Sequence, residues 1–275
     1  MNMYGVHINS DPNNILDEID FVKKIGGNMV QLFVDPLYKN QQIYTEFKNK
    51  LQKNNMKCVV HASYTINLAS HWDQYSWSIK QFINEIELAH SINAVGIVVH
   101  MGKRIGLSKE ESYNNMFTAL TYVHNKTKNH NTRIFIETPS GQGSEICYEV
   151  EEFAHFFSKL SKHNNEEIRN RFRMCLDTCH IFAAGYDITD SKKTADYLQV
   201  IEKNIGIKNI GLIHLNDSKK NIGSKIDRHE SLGNGFIGKN GLMTIVKFFK
   251  KIETPMILET PNRALHINEI STYFK

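Results

Sequence analysis

Cysteine is scarce in this 275-residue chain, and no long apolar run occurs in it. The four cysteines are Cys58, Cys147, Cys175 and Cys179. So few cysteines in a chain of this length do not make a disulfide framework, so we expect reduced thiols inside a cell. Cys175 and Cys179 lack a second cysteine pair, which excludes a structural zinc site of the two-pair type.

The apolar runs are too short for a membrane protein, because none approaches the ~18 residues that a membrane-spanning helix requires. Residues 1–5 lead directly into a strand-like run, so we expect no signal peptide. The formal net charge of +4 suits a polyanionic partner but is too small to predict one. We therefore expect a soluble, intracellular monomer, with cytoplasm, nucleus and virion left undistinguished.

Linkers rich in proline, glycine or serine are also absent, which predicts one domain over residues 1–275. Eight short apolar runs alternate with longer amphipathic stretches. Near-continuous apolar runs are typical of parallel strands that are buried on both faces. The runs cover residues 3–8, 29–34, 57–62, 95–101, 133–138, 172–178, 210–216 and 255–260. This alternation predicts an α/β fold, a single (β/α)8 TIM barrel, with a doubly wound open sheet as the alternative.

Helix signals support the alternation. Asp11 and Pro12 suit the cap and first turn of a helix that ends at Gly26. Ser108 and Glu111 have the spacing of a capping box, which predicts a helix from 108 to about 128. The first strand is not followed by a glycine-rich phosphate-binding turn, so a dinucleotide-binding fold is not favoured.

Ligand-type side chains stand at the ends of six consecutive predicted strands. The active site of a (β/α)8 barrel lies at the C-terminal ends of its strands. The residue at or just after the end of each run is His61, His100, Glu137, Asp177, His214 or Glu259. The second run is the exception, because it ends in Val34-Asp35-Pro36. His7, near the end of the first run, is expected to be a hydrogen-bond partner of a ligand.

Imidazole and carboxylate groups together suit zinc, manganese or iron, and the absence of thiolates favours a catalytic site. A lone histidine at a strand end is more often a hydrogen-bonded core residue. Several carboxylates that converge in a barrel mouth would repel one another without cations, however. The pattern therefore predicts at least two metal ions, bridged by a carboxylate, at the C-terminal face of the barrel.

Three loop residues suggest a further metal site. His180 follows Asp177 by three positions, and Asp227 and His229 are two apart in the long segment after the seventh strand. In an extended segment, residues two apart point the same way, so both could hold one ion together with His180. A surface cluster of salt bridges is the alternative interpretation.

The same residues lie in segments that resemble the endonuclease IV family of zinc-dependent apurinic/apyrimidinic endonucleases. The matching segments span nearly the whole chain in the order of the family, and several are long and distinctive. They are HASYTINLAS (61–70), VVHMG (98–102), ETPSGQGS (137–144), CLDTCHIFAAGYD (175–187), HLNDSK (214–219), GSKIDRHE (223–230) and ILETP (257–261).

The resemblance implies a site with three zinc ions, with Mn²⁺ as an alternative at one position. His61 and His100 would hold the first ion, and His180, Asp227 and His229 the third. Asp177, His214 and Glu259 would hold the second. Glu137 would bridge the first two ions and serve as the catalytic residue. The implied reaction is hydrolysis of the phosphodiester bond 5′ to an abasic site in double-stranded DNA. Its products are a 3′-hydroxyl and a 5′-deoxyribose phosphate, and trimming of blocked 3′ ends is implied as a second activity.

DNA contacts follow from the same resemblance. Tyr64 matches an aromatic wedge, with a rim-packing tyrosine as the alternative. Gln142 matches a residue that enters the minor groove, and Gly141 and Gly143 beside it would let backbone approach the duplex. Further phosphate contacts are expected from basic residues that are otherwise solvated surface charges. They are Lys219, Lys225 and Arg228.

One segment departs from the family. After the second strand, Val34-Asp35-Pro36 replaces a basic, polar loop, so we expect Tyr38 or Lys39 to fill the abasic gap instead. Three alternatives remain open, one of which is a structural barrel without a functional site. A sugar isomerase of the xylose-isomerase type shares the barrel and its acidic, histidine-rich mouth but has no use for Asp227 and His229. A lesion-binding protein without catalysis is the second alternative.

Overall fold

The eight short apolar runs form one closed barrel in a computed structural model that describes residues 2–34 and 41–275. The strands of this described part are β1 (Tyr4–His7), β2 (Met29–Phe33), β3 (Lys57–His61), β4 (Gly96–His100), β5 (Arg133–Glu137), β6 (Phe172–Asp177), β7 (Ile210–His214), β8 (Asp217–Ser218), β9 (His229–Glu230) and β10 (Met256–Leu258). Around the barrel the order is β1-β10-β7-β6-β5-β4-β3-β2. Neighbouring strands are parallel, so the predicted (β/α)8 barrel is confirmed.

Helices follow the barrel strands and cover them. They are α1 (Ile15–Ile25), α2 (Gln41–Lys53), α3 (Trp77–Ser91), α4 (Lys109–Lys126), α5 (Val150–Ser161), α6 (Glu166–Arg171), α7 (Thr178–Ala184), α8 (Ser191–Asn204), α9 (Gly238–Lys251) and α10 (His266–Tyr273). The capping box of Ser108 and Glu111 is present at the start of α4, as predicted. None of the described helices is long and apolar enough to cross a membrane.

The start of α1 differs from the prediction. Asp11 still makes the contacts of a cap: its carboxylate accepts a hydrogen bond from the backbone N–H of Asn13, and its carbonyl accepts one from the N–H of Ile15. The residues between them form a turn, so the regular helix α1 begins only at Ile15, with Asn14 as its N-cap. The helix ends as predicted, because Gly26 adopts a left-handed conformation with φ 96°.

The barrel interior is filled by one buried residue from each of seven strands. These residues are Met29, Val59, Val98, Phe135, Cys175, Leu212 and Ile257. A larger apolar cluster includes the outward-facing strand residues, such as Leu32, and the buried faces of the helices. Side chains alternate along a strand, so the residue two positions after each interior residue faces the same way. This alternation fixes which side chains reach the mouth of the barrel.

Candidate metal centre at the barrel mouth

Seven polar side chains follow the seven interior residues by two positions each and so ring the C-terminal mouth of the barrel. They are Gln31, His61, His100, Glu137, Asp177, His214 and Glu259. Six of them are the predicted ligands, and the structure brings these six together. Gln31 is a residue that the sequence analysis missed.

Glu137 lies between two groups of these side chains. Its Oε2 atom is 3.0 Å from Nε2 of His100 and 3.4 Å from Nε2 of His61. Its Oε1 atom is 2.8 Å from Nδ1 of His214. The carboxylate therefore directs one oxygen at each group, the arrangement that a bridging ligand requires.

The second group contains two further carboxylates around the same histidine. Nδ1 of His214 is 3.2 Å from Glu259 Oε2 and 3.9 Å from Asp177 Oδ2. Donor atoms of Glu137, Asp177, His214 and Glu259 all lie within 4.8 Å of one another. Asp177 and His214 are fully buried, so water does not screen these charges.

The predicted third group also assembles, because helix α7 and strand β9 approach each other across the mouth. Asp177 caps α7 by accepting a hydrogen bond from the N–H of His180, which fixes the first turn of this helix. Strands β8 and β9 pair as an antiparallel hairpin that carries His229. The carboxylate of Asp227 lies 3.2 Å from Nε2 of His180 and 3.2 Å from Nε2 of His229.

Hydrogen bonds on the far side of three imidazole rings determine which nitrogen faces the mouth. The Nδ1 atoms of His61, His180 and His229 lie 2.8, 2.8 and 3.3 Å from the backbone carbonyls of Ala62, Thr138 and Glu259. A carbonyl only accepts, so each Nδ1 carries a proton. In the neutral rings, each Nε2 therefore directs a lone pair at a carboxylate, which itself carries lone pairs.

This juxtaposition of acceptors fits a site for divalent cations. Within the described part of the chain, Glu137 Oε2, His180 Nε2 and His229 Nε2 are buried without a hydrogen bond of good geometry. Unpaired buried polar atoms are costly, and a cation between them would satisfy both nitrogen and oxygen donors. Cys179 also lies within 4.8 Å of donor atoms of Asp177 and His229, but burial raises the pKa of its thiol to about 12. The imidazole and carboxylate donors suit zinc.

The carboxylate and imidazole groups of the cluster shift one another's pKa. Burial alone would raise the pKa of Glu137, but His214 and His100 hold it well below the usual range. Burial likewise raises the pKa of Asp177. Burial alone would lower the pKa of His229, whereas Asp227 and Asp177 raise it to about 9.

Two of the predicted DNA-contacting side chains lie beside this cluster. The ring of Tyr64 is 64% exposed and packs 5.2 Å from the rings of His61 and His100, between centroids. Oε1 of Gln142 accepts a hydrogen bond of 3.1 Å from the N–H of Asp227. A groove with a volume of about 390 Å³ runs along Tyr64, His100, Gln142, Asp227 and Arg228.

The turn that carries Gln142 is held by a residue that the sequence analysis did not single out. Oε2 of Glu145 accepts hydrogen bonds from the N–H groups of Gly141 and Gln142, at 3.1 and 2.9 Å. Gly141 and Gly143 have φ values of 82° and 63°, which explains why glycine stands at both positions.

The predicted basic contacts are exposed on the same face. Lys225 places its ammonium 4.3 Å from the ring centroid of Tyr148, and Arg228 donates to the backbone carbonyl of Asp227. Lys219 is exposed next to strand β8. The predicted contacts of Tyr38 and Lys39 lie outside the described residues.

Comparison with known proteins places this geometry in a family. A family model described as a xylose isomerase-like TIM barrel matches residues 19–273. The putative endonuclease 4 of Acanthamoeba polyphaga mimivirus is 34% identical over an alignment of 278 positions. This alignment covers 95% of the present chain and 86% of the viral protein. The chain belongs to the endonuclease IV family. The chain is therefore an enzyme, a hydrolase that cleaves DNA.

Solved structures confirm the fold. Endonuclease IV from Thermus thermophilus superimposes with a TM-score of 0.78 at 23% identity, over 97% of this chain and 95% of that one. A D-tagatose 3-epimerase-like protein superimposes with a TM-score of 0.74 at 17% identity, over 98% and 95% of the two chains. At these identities the barrel alone does not separate the endonuclease IV family from sugar epimerases.

Proposed function

We propose that this chain is a metal-dependent DNA-repair endonuclease that hydrolyses the phosphodiester bond 5′ to abasic sites in double-stranded DNA. The products would be a 3′-hydroxyl and a 5′-deoxyribose phosphate. We further propose that residues 1–275 act as one domain and as a monomer. One observation carries the proposal: nine imidazole and carboxylate side chains converge in three groups at one barrel mouth, beside an open groove.

The three groups would hold three zinc ions. His61 and His100 form the first group and His180, Asp227 and His229 the third. Asp177, His214 and Glu259 form the second group, and Glu137 is shared between the first and the second. This assignment is supported by the distances around Glu137 and by the buried nitrogen atoms that lack hydrogen-bond partners in the described chain.

Bound zinc would supply a nucleophile at neutral pH, by lowering the pKa of water, and would neutralise negative charge on the reacting phosphate. The side chains of the chain orient these components. Glu137 stays ionised, because His214 and His100 hold its pKa well below the usual range, so both of its oxygens accept. No separate histidine base is needed. Each imidazole ring is already fixed by a hydrogen bond on its far side or by its neighbours.

The groove would receive the DNA backbone, and its walls would recognise the lesion. Tyr64 projects from the rim and stands beside His100, where it would occupy space left by a missing base. Extrusion of a sugar without a base is cheap, because no stacking or pairing is lost. Gln142 is tied to Asp227, so contact with DNA through Gln142 is coupled directly to the third metal group.

The test is a nicking assay on a duplex with one abasic site. Protein that has been dialysed against a chelator should not cut the duplex, and added zinc should restore cutting on the 5′ side of the lesion. His180→Gln should lose at least about 100-fold in rate, because a donor of the third group is removed. His155→Gln is the matched control: His155 is exposed on α5 and belongs to none of the three groups, so the rate should stay at that of the wild type.

Other outcomes would point to other functions. Binding of the abasic duplex without nicking, at any zinc concentration, would contradict catalysis and leave a lesion-binding protein. Isomerisation or epimerisation of a ketose, without nicking, would favour the sugar enzymes that share the barrel. Nicking that persists in excess chelator would contradict the role of the metal groups.

A further inference from the structure

Gln31 is a buried amide in the ring of predicted ligands, on a strand to which no ligand is assigned. It lies on β2 with no solvent exposure and pairs in register with His7 on β1. It follows the interior residue Met29 by two positions, so its side chain enters the mouth from the same side as the ligands. An uncharged amide so deep in the ring requires an explanation.

The contacts of Gln31 determine the orientation of its amide. Its Nε2 atom lies 2.6 Å from Glu259 Oε1 and 3.0 Å from His7 Nδ1, and its Oε1 atom lies 2.8 Å from His214 Nε2. An ionised carboxylate only accepts hydrogen bonds, so the amide must direct its NH2 group at Glu259. The amide oxygen is then left for His214.

This orientation in turn fixes the proton on His214. An amide oxygen only accepts, so Nε2 of His214 must carry a proton. The lone pair of the neutral ring is therefore on Nδ1, the atom that faces Glu137 at 2.8 Å and Glu259 at 3.2 Å. A chain of hydrogen bonds thus runs from Glu259 through Gln31 to His214. Glu259 fixes the orientation of the Gln31 amide, and this amide fixes the proton on His214.

His214 differs in this respect from the other oriented histidines of the site. His61, His180 and His229 donate from Nδ1 to backbone carbonyls, which remain whatever side chains the protein carries. His214 faces the mouth with the opposite nitrogen, and its acceptor is a side chain. Its tautomer therefore depends on one residue that can be substituted.

We propose that Gln31 is a positioning residue, which holds His214 in the tautomer that binds a divalent metal through Nδ1 and anchors Glu259 beside it. This inference rests on the proposed function, because it assigns Gln31 to the second of the three metal groups. Partners of this kind fix ring orientation and ligand basicity, and their loss typically weakens metal binding by 10- to 100-fold.

The tautomer can be observed in the unmodified protein. In zinc-loaded protein with ¹⁵N-labelled histidine, two-bond ¹H–¹⁵N spectra should show one imidazole with its proton on Nε2 and a metal-bound Nδ1, assigned to His214 through His214→Gln. A His214 ring with its proton on Nδ1 would overturn the inference. This measurement does not depend on any Gln31 variant being able to fold.

Metal titration then tests the effect of Gln31. Gln31→Met keeps the volume and removes both hydrogen-bonding groups, whereas Leu32→Met makes a similar change on the same strand, on the face away from the mouth. Cobalt titration of chelator-treated proteins should show one ion bound about 10- to 100-fold more weakly in Gln31→Met alone. Equal affinities in Gln31→Met and wild type, or an equal loss in Leu32→Met, would refute the inference.

Failure of the proposed function and failure of the role of Gln31 would give different results. If the wild-type protein takes up no cobalt or zinc, the proposed function fails and the inference fails with it. If the wild type binds three ions and Gln31→Met binds them equally well, only the role of Gln31 is refuted. If cobalt binding responds to Gln31→Met but abasic DNA is not cut, the inference stands and the proposed reaction does not.

Discussion

Asp217→Asn is expected to destabilise the protein strongly, although it removes only one charge. Asp217 is fully buried at the start of the hairpin that carries His229. Its carboxylate accepts hydrogen bonds from a ring of backbone N–H groups in the segment that leads into α9. Oδ1 accepts from Ser218 and Ile237 at 2.8 and 2.9 Å, and Oδ2 accepts from Gly233, Gly235 and Gly238 at 3.0, 3.1 and 3.2 Å.

The size of the effect follows from the number of donors. Asparagine has one accepting oxygen, so its NH2 group must face the two or three N–H groups that the other oxygen of Asp217 now serves. Each lost bond to a charged acceptor costs about 1.5 kcal/mol or more. The free energy of unfolding should therefore fall by about 3–5 kcal/mol, which lowers the melting temperature by about 5–9 °C in a chain of this size.

The assay is thermal unfolding followed by circular dichroism. It is run in excess chelator, so that metal binding does not contribute to stability. Asp190→Asn is the matched control. Asp190 caps α8 by accepting from the N–H of Lys193, and asparagine caps a helix about as well as aspartate. Equal melting temperatures for Asp217→Asn and Asp190→Asn would refute the reasoning, because the segment before α9 would then be held by other contacts.

Three more predictions follow from the site and its surroundings. Glu145→Ala should weaken binding of an abasic duplex about five- to tenfold, as measured by fluorescence anisotropy. The reason is that the turn that carries Gln142 loses about 1 kcal/mol of stabilising free energy. An affinity within about twofold of the wild type would refute this prediction. Folding raises the pKa of His229 from 6.5 to about 9. Protonation of His229 therefore stabilises the folded state fully below pH 6.5, and this stabilisation is lost as pH rises through 9. Chelator-treated protein should therefore melt lower at pH 9.5 than at pH 6.5, and zinc uptake at pH 8 should release protons; a melting temperature independent of pH would contradict the assignment. All four cysteines are buried, and burial raises the pKa of their thiols to about 12. A thiol reagent should therefore label no cysteine in folded protein and four in guanidinium. Rapid labelling without denaturant would contradict burial.

Most of the ring at the barrel mouth could be predicted from the sequence, for a geometric reason. In β3, β4, β5, β6 and β7 the ligand-type residue is the last residue of the strand. A sequence reveals where an apolar run stops, and the barrel fold places these ends together. We could therefore assign His61 and His214 to one site without knowing which strands pair, although the two residues are far apart in the chain.

Gln31 could not be found in this way, because the strands of a barrel are staggered. Gln31 pairs with Val59, whereas His61 pairs with Phe33, so the mouth at β2 lies two residues earlier than the end of the strand. The prediction for β2 considered Val34 and the residues after it, and it therefore passed over the one polar residue within the run. Counting two positions from the interior residue Met29 would have identified Gln31, but the interior residue is known only from strand pairing.

The third group shows the opposite case, in which a weak sequence signal corresponded to real geometry. Asp227 and His229 are two apart, and the structure places both on the side that faces His180. The two-residue strands β8 and β9 are too short to be predicted from periodicity. Their position depends on the buried carboxylate of Asp217, a tertiary interaction that no local pattern contains.

The segment between β7 and α9 also carries the argument about function. The barrel itself is shared with a D-tagatose 3-epimerase-like protein, at a TM-score of 0.74 and 17% identity, so the barrel alone does not determine the reaction. Proton transfer on a small sugar has no need of a third donor group beside an open groove. A phosphodiester does, because negative charge develops on the leaving oxygen while the phosphate is still charged, and both must be neutralised. In the proposed function His180, Asp227 and His229 would supply that group, and exposed Lys225 and Arg228 would flank it on the face where a duplex would lie. The hairpin would thus distinguish two chemistries on one barrel, and His229→Gln, which leaves the contacts of Asp217 in place, is expected to abolish strand cleavage while the barrel stays folded.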